Sequence, residues 1–170
     1  TLELKRFVIL YPDNNYGTDF MNLFWDKVLE HGGEIVGVES YLPDQNDFQN
    51  EIKKLVGLYY DDREDELEDT GVEGEELQPI IDFDAIFIPD YYDKVGLILP
   101  QLAYCDVVGT QLLGTSGWNS QQLIKMAREY AQGAVFVDGF FKGSPYPFVR
   151  KFLHQFRSIF DEEPGILEAQ

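Results

Sequence analysis

Phe7–Gly17 reads FVILYPDNNYG, and the change of pattern inside it decides the fold. Arg6 to Tyr11 is a short, apolar, partly β-branched run, suited to a strand buried on both faces. Pro12-Asp13-Asn14-Asn15 is a turn cluster. Phe20, Leu23, Phe24 and Val28 then recur at helical spacing until Gly32-Gly33 stops the helix. A buried strand, a tight turn and an amphipathic helix make one β–α unit, and the rest of the chain repeats that grammar.

Glu34–Tyr41 (EIVGVESY) reads as the second strand, and Phe48, Ile52, Leu55 and Val56 mark the second helix, with Asn46 or Asp47 near its cap. Asp84–Pro89 (DAIFIP) is the third strand, followed by a helical stripe of Val95, Ile98, Leu99 and Leu102. Pro100 is expected to kink that helix or shift its boundary. Gln111–Thr115 (QLLGT) is the fourth strand, and Ser120 can cap a helix carrying Leu123, Ile124 and Ala127. Gly133–Asp138 (GAVFVD) is the fifth strand. Pro147 suits the first turn of a last helix with Phe148, Phe152, Phe156 and Ile159, ended before Pro164.

Five such units predict an α/β fold: a doubly wound five-stranded parallel sheet, order 2-1-3-4-5, with helices on both faces. The 170 residues suffice for one such core. The five-stranded unit is expected within residues 1–145 and the last helix within residues 146–170. No apolar run approaches a membrane span, and the formal charge of −18 argues against a nucleic-acid partner, which needs a basic stripe. The single cysteine, Cys105, excludes an internal disulfide and a multi-thiolate metal site.

Half of that charge lies in one block. Residues 61–76 (DDREDELEDTGVEGEE) hold ten acids and one Arg, without sustained apolar periodicity. Like charges this dense repel, so the stretch within about 58–82 is expected to be a solvated insertion. A calcium loop fails on spacing. With Gly71 in sixth place, Glu66, Glu68 and Thr70 take ligand positions, but Leu77 stands where Glu is required.

In parallel sheets ligands sit beyond the carboxyl ends of the strands. That rule selects Asp13 to Tyr16, Asp90 to Tyr92, Ser116 to Asn119 and Asp138 to Phe141. This rim offers Tyr16, Asp90, Tyr91, Tyr92, Ser116, Trp118, Asp138 and Phe140 as candidate ligand-binding residues. Aromatic walls with a few polar tips suit recognition better than reaction. His31 and His154 fall on helices, away from any nucleophile, and Gly114-Thr115-Ser116-Gly117 breaks the nucleophile-elbow spacing. Neither a dinucleotide fingerprint nor a phosphate-binding loop occurs, so no catalytic residue, cofactor or metal is expected. A phosphoreceiver domain would place Asp13, Asp90, Thr115 or Ser116, and Lys142 at similar stations, but its paired magnesium-holding acids are reduced here to one carboxylate.

The runs Phe7–Gly17, Gly33–Phe48, Asp84–Tyr92 (DAIFIPDYY), Gly114–Ser120 (GTSGWNS) and Gly133–Phe141 (GAVFVDGFF), in this order, resemble the type I periplasmic-binding-protein superfamily, the branched-chain amino-acid-binding group. The resemblance covers almost everything except residues 58–82 and implies one lobe, residues 1–145, of a two-lobed receptor with the ligand closed between lobes, and in residues 146–170 a crossover helix returning toward the other lobe. It implies a small polar or amino-acid-like ligand, transport or sensing beside a membrane transporter, and a periplasmic or extracytoplasmic location, with a lipid anchor on the full-length protein. By the same resemblance Tyr16 supplies an aromatic contact and Tyr91 and Tyr92 the paired aromatics. Ser116 stands where amino-acid-binding members often carry the carboxylate for the ligand's ammonium, with Asp90 or Asp138 as substitutes. Lipoprotein activators of penicillin-binding proteins use a similar fold to contact a peptidoglycan synthase, the alternative to solute capture.

Overall fold

The computed structural model describes residues 3–58 and 78–165. The acidic block therefore lies outside the described residues. The chain divides into two compact units, Thr1–Phe136 and Val137–Gln170. The boundary drawn from sequence, 145/146, falls inside the second.

The first unit is built from β1 (Arg6–Pro12), α1 (Asn15–Glu30), β2 (Glu34–Tyr41), α2 (Gln49–Leu55), β3 (Ala85–Ile88), α3 (Tyr92–Tyr104), β4 (Gln111–Gly114), α4 (Gln121–Ala127) and β5 (Val135–Phe136). The strands form one parallel sheet in the order β2-β1-β3-β4-β5. Side chains alternate along a strand, so β1 and β3 each serve two faces. Val8, Leu10, Ile86 and Ile88 join α2, α3 and α4 in the main core with Phe48, Ile52, Val95, Ile98, Leu99 and Leu123. On the opposite face Phe24 of α1 meets Phe7 edge-on at 5.6 Å and stacks on Phe87 at 4.1 Å.

Local chemistry sets the ends of these elements. Asn14 caps α1, its side-chain oxygen accepting from the Gly17 N–H at 2.8 Å. At the other end Gly32 takes the left-handed conformation (φ 76°), while Gly32 N–H bonds Leu29 C=O and Gly33 N–H bonds Val28 C=O. This paired closure satisfies the last carbonyls of α1 and turns the chain into β2. Ser120 caps α4 as expected, accepting from Gln122 N–H at 3.1 Å.

The structure sharpens three local expectations. Of the two effects expected of Pro100, the boundary shift does not occur: α3 runs through it to Tyr104, held by the buried stripe Val95, Ile98, Leu99 and Leu102. Tertiary burial outweighs the lost N–H there. At the start of α2, Phe48 occupies the cap position without a side-chain bond, and Asp47 beside it, near the cap as expected, accepts from Gln49 N–H at 3.1 Å. The fifth strand is only Val135–Phe136, not Gly133–Asp138, because it pairs with β4 alone and is exposed at the sheet edge.

The second unit carries α5 (Pro147–Phe160), with Pro147 in its first turn and Asp161 in the left-handed cap position. Its aromatics pack locally: Phe140 against Phe152, Phe152 against Phe156, Phe156 against Phe160. Among the described residues no helix is long and apolar enough to cross a membrane.

Candidate functional site

The carboxyl ends of β1, β2, β3 and β4 meet in one bonded rim. At β1, the first turn of α1 lies directly on the strand end. A Cβ on Gly17 would sit 2.1 Å from the Pro12 carbonyl oxygen, so only glycine allows this approach. The consequence is positional: Tyr16, one residue earlier, is held over the end of the sheet. Its hydroxyl donates to the buried Thr115 Oγ1 after β4 at 2.8 Å. Its ring stacks on Tyr91 after β3, centroids 5.1 Å apart and planes 26° from parallel. Partial burial raises the Tyr16 pKa above the usual phenol value, against the Thr115 hydrogen bond.

Tyr91, 52% exposed, presents an aromatic surface beside the half-buried Tyr16. Tyr92, the first residue of α3, is exposed next to it, and Ser116 is exposed beyond β4. A Cβ on Gly117 would lie 2.8 Å from the Asp90 carbonyl oxygen and 3.1 Å from the Tyr91 ring, so Gly117 lets the β4 loop close against Tyr91.

Asp90 is placed differently from the sequence expectation. It is 7% exposed and its carboxylate points into the protein, accepting from the Tyr41 hydroxyl at 2.6 Å and from the Tyr91 N–H at 2.7 Å. Burial raises its pKa, opposed by the two hydrogen bonds. Burial and the neighbouring carboxylate push the Tyr41 phenol far above its ordinary range, so it remains a donor. Tyr41 is in turn anchored by an edge-on contact with Phe48 at 4.9 Å, and its carbonyl accepts from Asp13 N–H at 2.7 Å. The loop after β2 is tied down from α3: Lys94 Nζ donates to Gln45 C=O, and Gln101 bridges Asn46 C=O and Phe48 N–H. The sequence reading does not include Tyr41 in the rim; its place as the last residue of the edge strand β2, and the one buried residue of that strand, is the signal that carries it there.

Trp118 also departs from its expected role as a wall. It is 1% exposed, donates from Nε1 to the Ile88 carbonyl at 3.0 Å, and packs where a Cβ on Gly114 would fall 2.3 Å from its ring. It is a core residue that plugs the end of β4. Asp138 and Phe140 belong to the second unit. There Asp138 accepts from Phe140 N–H at 3.3 Å, and both line a cavity of about 510 Å³ with Phe141, Tyr146 and Phe152.

The receiver stations do not assemble into a phosphoryl acceptor. Asp90, where that residue would stand, is buried with both oxygens engaged. Among the described residues no cluster of three or more His, Cys, Asp or Glu is arranged to hold a metal ion.

In a doubly wound parallel sheet ligands sit beyond the carboxyl ends of the strands, where this aromatic shelf lies. The chain belongs to the periplasmic binding protein family, whose model matches residues 1–170. Solved structures place its fold with the type I members. A leucine-binding protein, LivK, from Thermotoga maritima is 22% identical with a TM-score of 0.71, covering 99% of this chain and 41% of that one. The branched-chain amino-acid transporter substrate-binding protein LivJ from Streptococcus pneumoniae, in complex with isoleucine, is 26% identical with a TM-score of 0.63, covering 99% and 42%. A transporter solute-binding protein from Rhodopseudomonas palustris, in complex with 3,4-dihydroxybenzoic acid, is 19% identical with a TM-score of 0.60, covering 98% and 40%. The chain thus spans about two fifths of the length of the relatives it matches. Comparison with curated proteins gives no match.

Proposed function

We propose that this chain is one lobe of a non-enzymatic, extracytoplasmic solute-binding protein that captures a small amino-acid-like or aromatic acid ligand for an ABC transporter. The observation that carries the reading is the Tyr16–Tyr91 shelf. It is an ordered aromatic surface at the carboxyl ends of the strands, half-buried on the Tyr16 side and exposed on the Tyr91 side. Family membership and the ligands named for the LivJ and Rhodopseudomonas palustris proteins support the same reading.

In this reading Tyr16, Tyr91, Tyr92 and Ser116 offer ring faces and hydroxyls to the ligand. Residues 146–170 lead toward a second lobe, which closes over the ligand and excludes water. A lipid anchor on the full-length protein keeps it beside its transporter.

The test is a thermal-shift screen of amino acids, benzoates and hydroxybenzoates against the full-length protein. A true ligand at a hundredfold excess over Kd stabilises the native state by about 2.7 kcal/mol. Tyr16→Ala or Tyr91→Ala should remove most of that shift and leave the apo protein folded. A ligand whose shift survives both substitutions would place the site elsewhere, and a screen without a single shift would overturn the solute-binding reading.

A further inference from the structure

Asp90 stands at the strand-end rim yet turns away from it, and this has a consequence for how the binding surface is made. Tyr91 is the N-cap residue of α3, in an extended conformation and without a side-chain cap bond of its own. A half-exposed tyrosine in such a position would ordinarily sample several rotamers. Here its backbone is fixed at both sides. The Asp90 carboxylate accepts its N–H at 2.7 Å, and Gly117 closes against its Cα and ring. The second carboxylate oxygen is bound by Tyr41, itself 2% exposed and locked by Phe48. Tyr41 C=O takes the Asp13 N–H, which returns the chain of bonds to the end of β1, where Tyr16 stands.

We propose that Asp90 is a positioning residue: by bridging the Tyr41 hydroxyl and the Tyr91 N–H it holds the Tyr91 ring in its stack on Tyr16, without touching the ligand. The proposal rests on the solute-binding reading above for its functional meaning, while the bridge itself can be measured without a ligand. The carboxylate is suited to this task. It accepts on two oxygens at once, and its negative charge lies at the positive end of α3. Asp90 is 7% exposed, so burial leaves little of the carboxylate open to a ligand ammonium.

The two roles separate in the full-length protein through Asp90→Asn and Asp90→Ala. An amide keeps the bridge: its oxygen accepts from Tyr91 N–H, and its NH₂ donates to the Tyr41 hydroxyl, which can act as acceptor. Alanine removes it. Two readouts are needed. The first is NMR of the Tyr16 and Tyr91 ring protons, whose mutual ring-current shifts report the stack in the absence of ligand. The second is calorimetric titration with isoleucine and with 3,4-dihydroxybenzoate. Asp90→Asn should retain the ring shifts and bind whichever probe the native protein binds within a factor of about three. Asp90→Ala should lose the shifts and weaken binding by about tenfold or more. Should Asp90→Ala fail to fold, Asp90→Ser, too short to span both partners, gives the same readout. Ring shifts that persist in the Ala or Ser variant would overturn the proposal. So would an Asn variant that loses isoleucine alone, which would make Asp90 a contact to the ammonium. If neither probe binds the native protein, the solute-binding reading fails for both ligands, and the ring shifts still decide whether Asp90 positions Tyr91.

Discussion

Removing the Tyr41 hydroxyl is the sharpest perturbation of the rim. Tyr41 is 2% exposed, Asp90 7%, and the bond between them is 2.6 Å long. In Tyr41→Phe nothing replaces the donor, because water does not reach a site closed by Phe48 and the end of β2. A hydrogen bond to a charged acceptor contributes about 1.5–3 kcal/mol. For a domain of this size each kcal/mol moves Tm by about 2–4 °C, so the variant should melt roughly 3–12 °C lower at neutral pH. The loss must also depend on pH. Burial holds the folded pKa of Asp90 above that of the unfolded chain. A raised carboxyl contributes most stability below its unfolded pKa and loses that contribution as pH rises through the folded pKa. The Tyr41 bond opposes that rise, so deleting it raises the folded pKa further and enlarges the loss at neutral pH. Urea unfolding of both proteins from pH 3 to 8 should therefore show a small difference at the acid end and a large one above the Asp90 titration. A difference that is the same at every pH would refute the assignment of Tyr41 as the donor that opposes the rise of the Asp90 pKa.

Asp84 makes the opposite pH prediction. The backbone N–H groups of Arg6 and Lys5 hold its pKa below the usual carboxylate value, so its contribution should be present above the unfolded pKa and vanish as pH falls through the folded one. Asp84→Asn should flatten that part of the acid limb in a pH-dependent unfolding series. Gly117→Ala should destabilise the fold and shift the Tyr16 and Tyr91 ring resonances together, since its Cβ would meet backbone at 2.8 Å. Native stability in Gly117→Ala would show that the β4 loop does not brace Tyr91. Deleting residues 61–76 should change Tm by no more than a few degrees, because Ile80 N–H bonds Val56 C=O at 2.9 Å and brings the flanking chain ends together. Calorimetry showing a collapse of the unfolding transition would refute the reading of that block as an insertion.

The sheet was legible from the chain because each buried strand is a continuous apolar run flanked by turn chemistry. The sequence-read order 2-1-3-4-5 matches the observed one. Legibility failed where a signal depends on what lies beside a residue rather than on the residue. GAVFVD is as apolar as DAIFIP, yet β3 sits between two neighbours and β5 has only β4 to pair with. Pro100 carries a strong local penalty, but its helix has a complete buried stripe, and packing wins.

The same distinction sorts the site. Topology alone puts Tyr16, Tyr91, Tyr92 and Ser116 on the rim, since the carboxyl end of a parallel strand is a place the chain order defines. The same rule selects Trp118 and Asp90 in the same loops, but two neighbours decide their direction. Gly114 leaves a slot that the indole fills, and Tyr41 offers a buried donor that draws the carboxylate inward. A loop position therefore tells which residues the rim can offer, whereas the inner shell of donors and glycines tells which side chains stay exposed there. In this lobe that inner shell turns one aromatic and one acid into supports, and leaves the two stacked tyrosines as the surface they support.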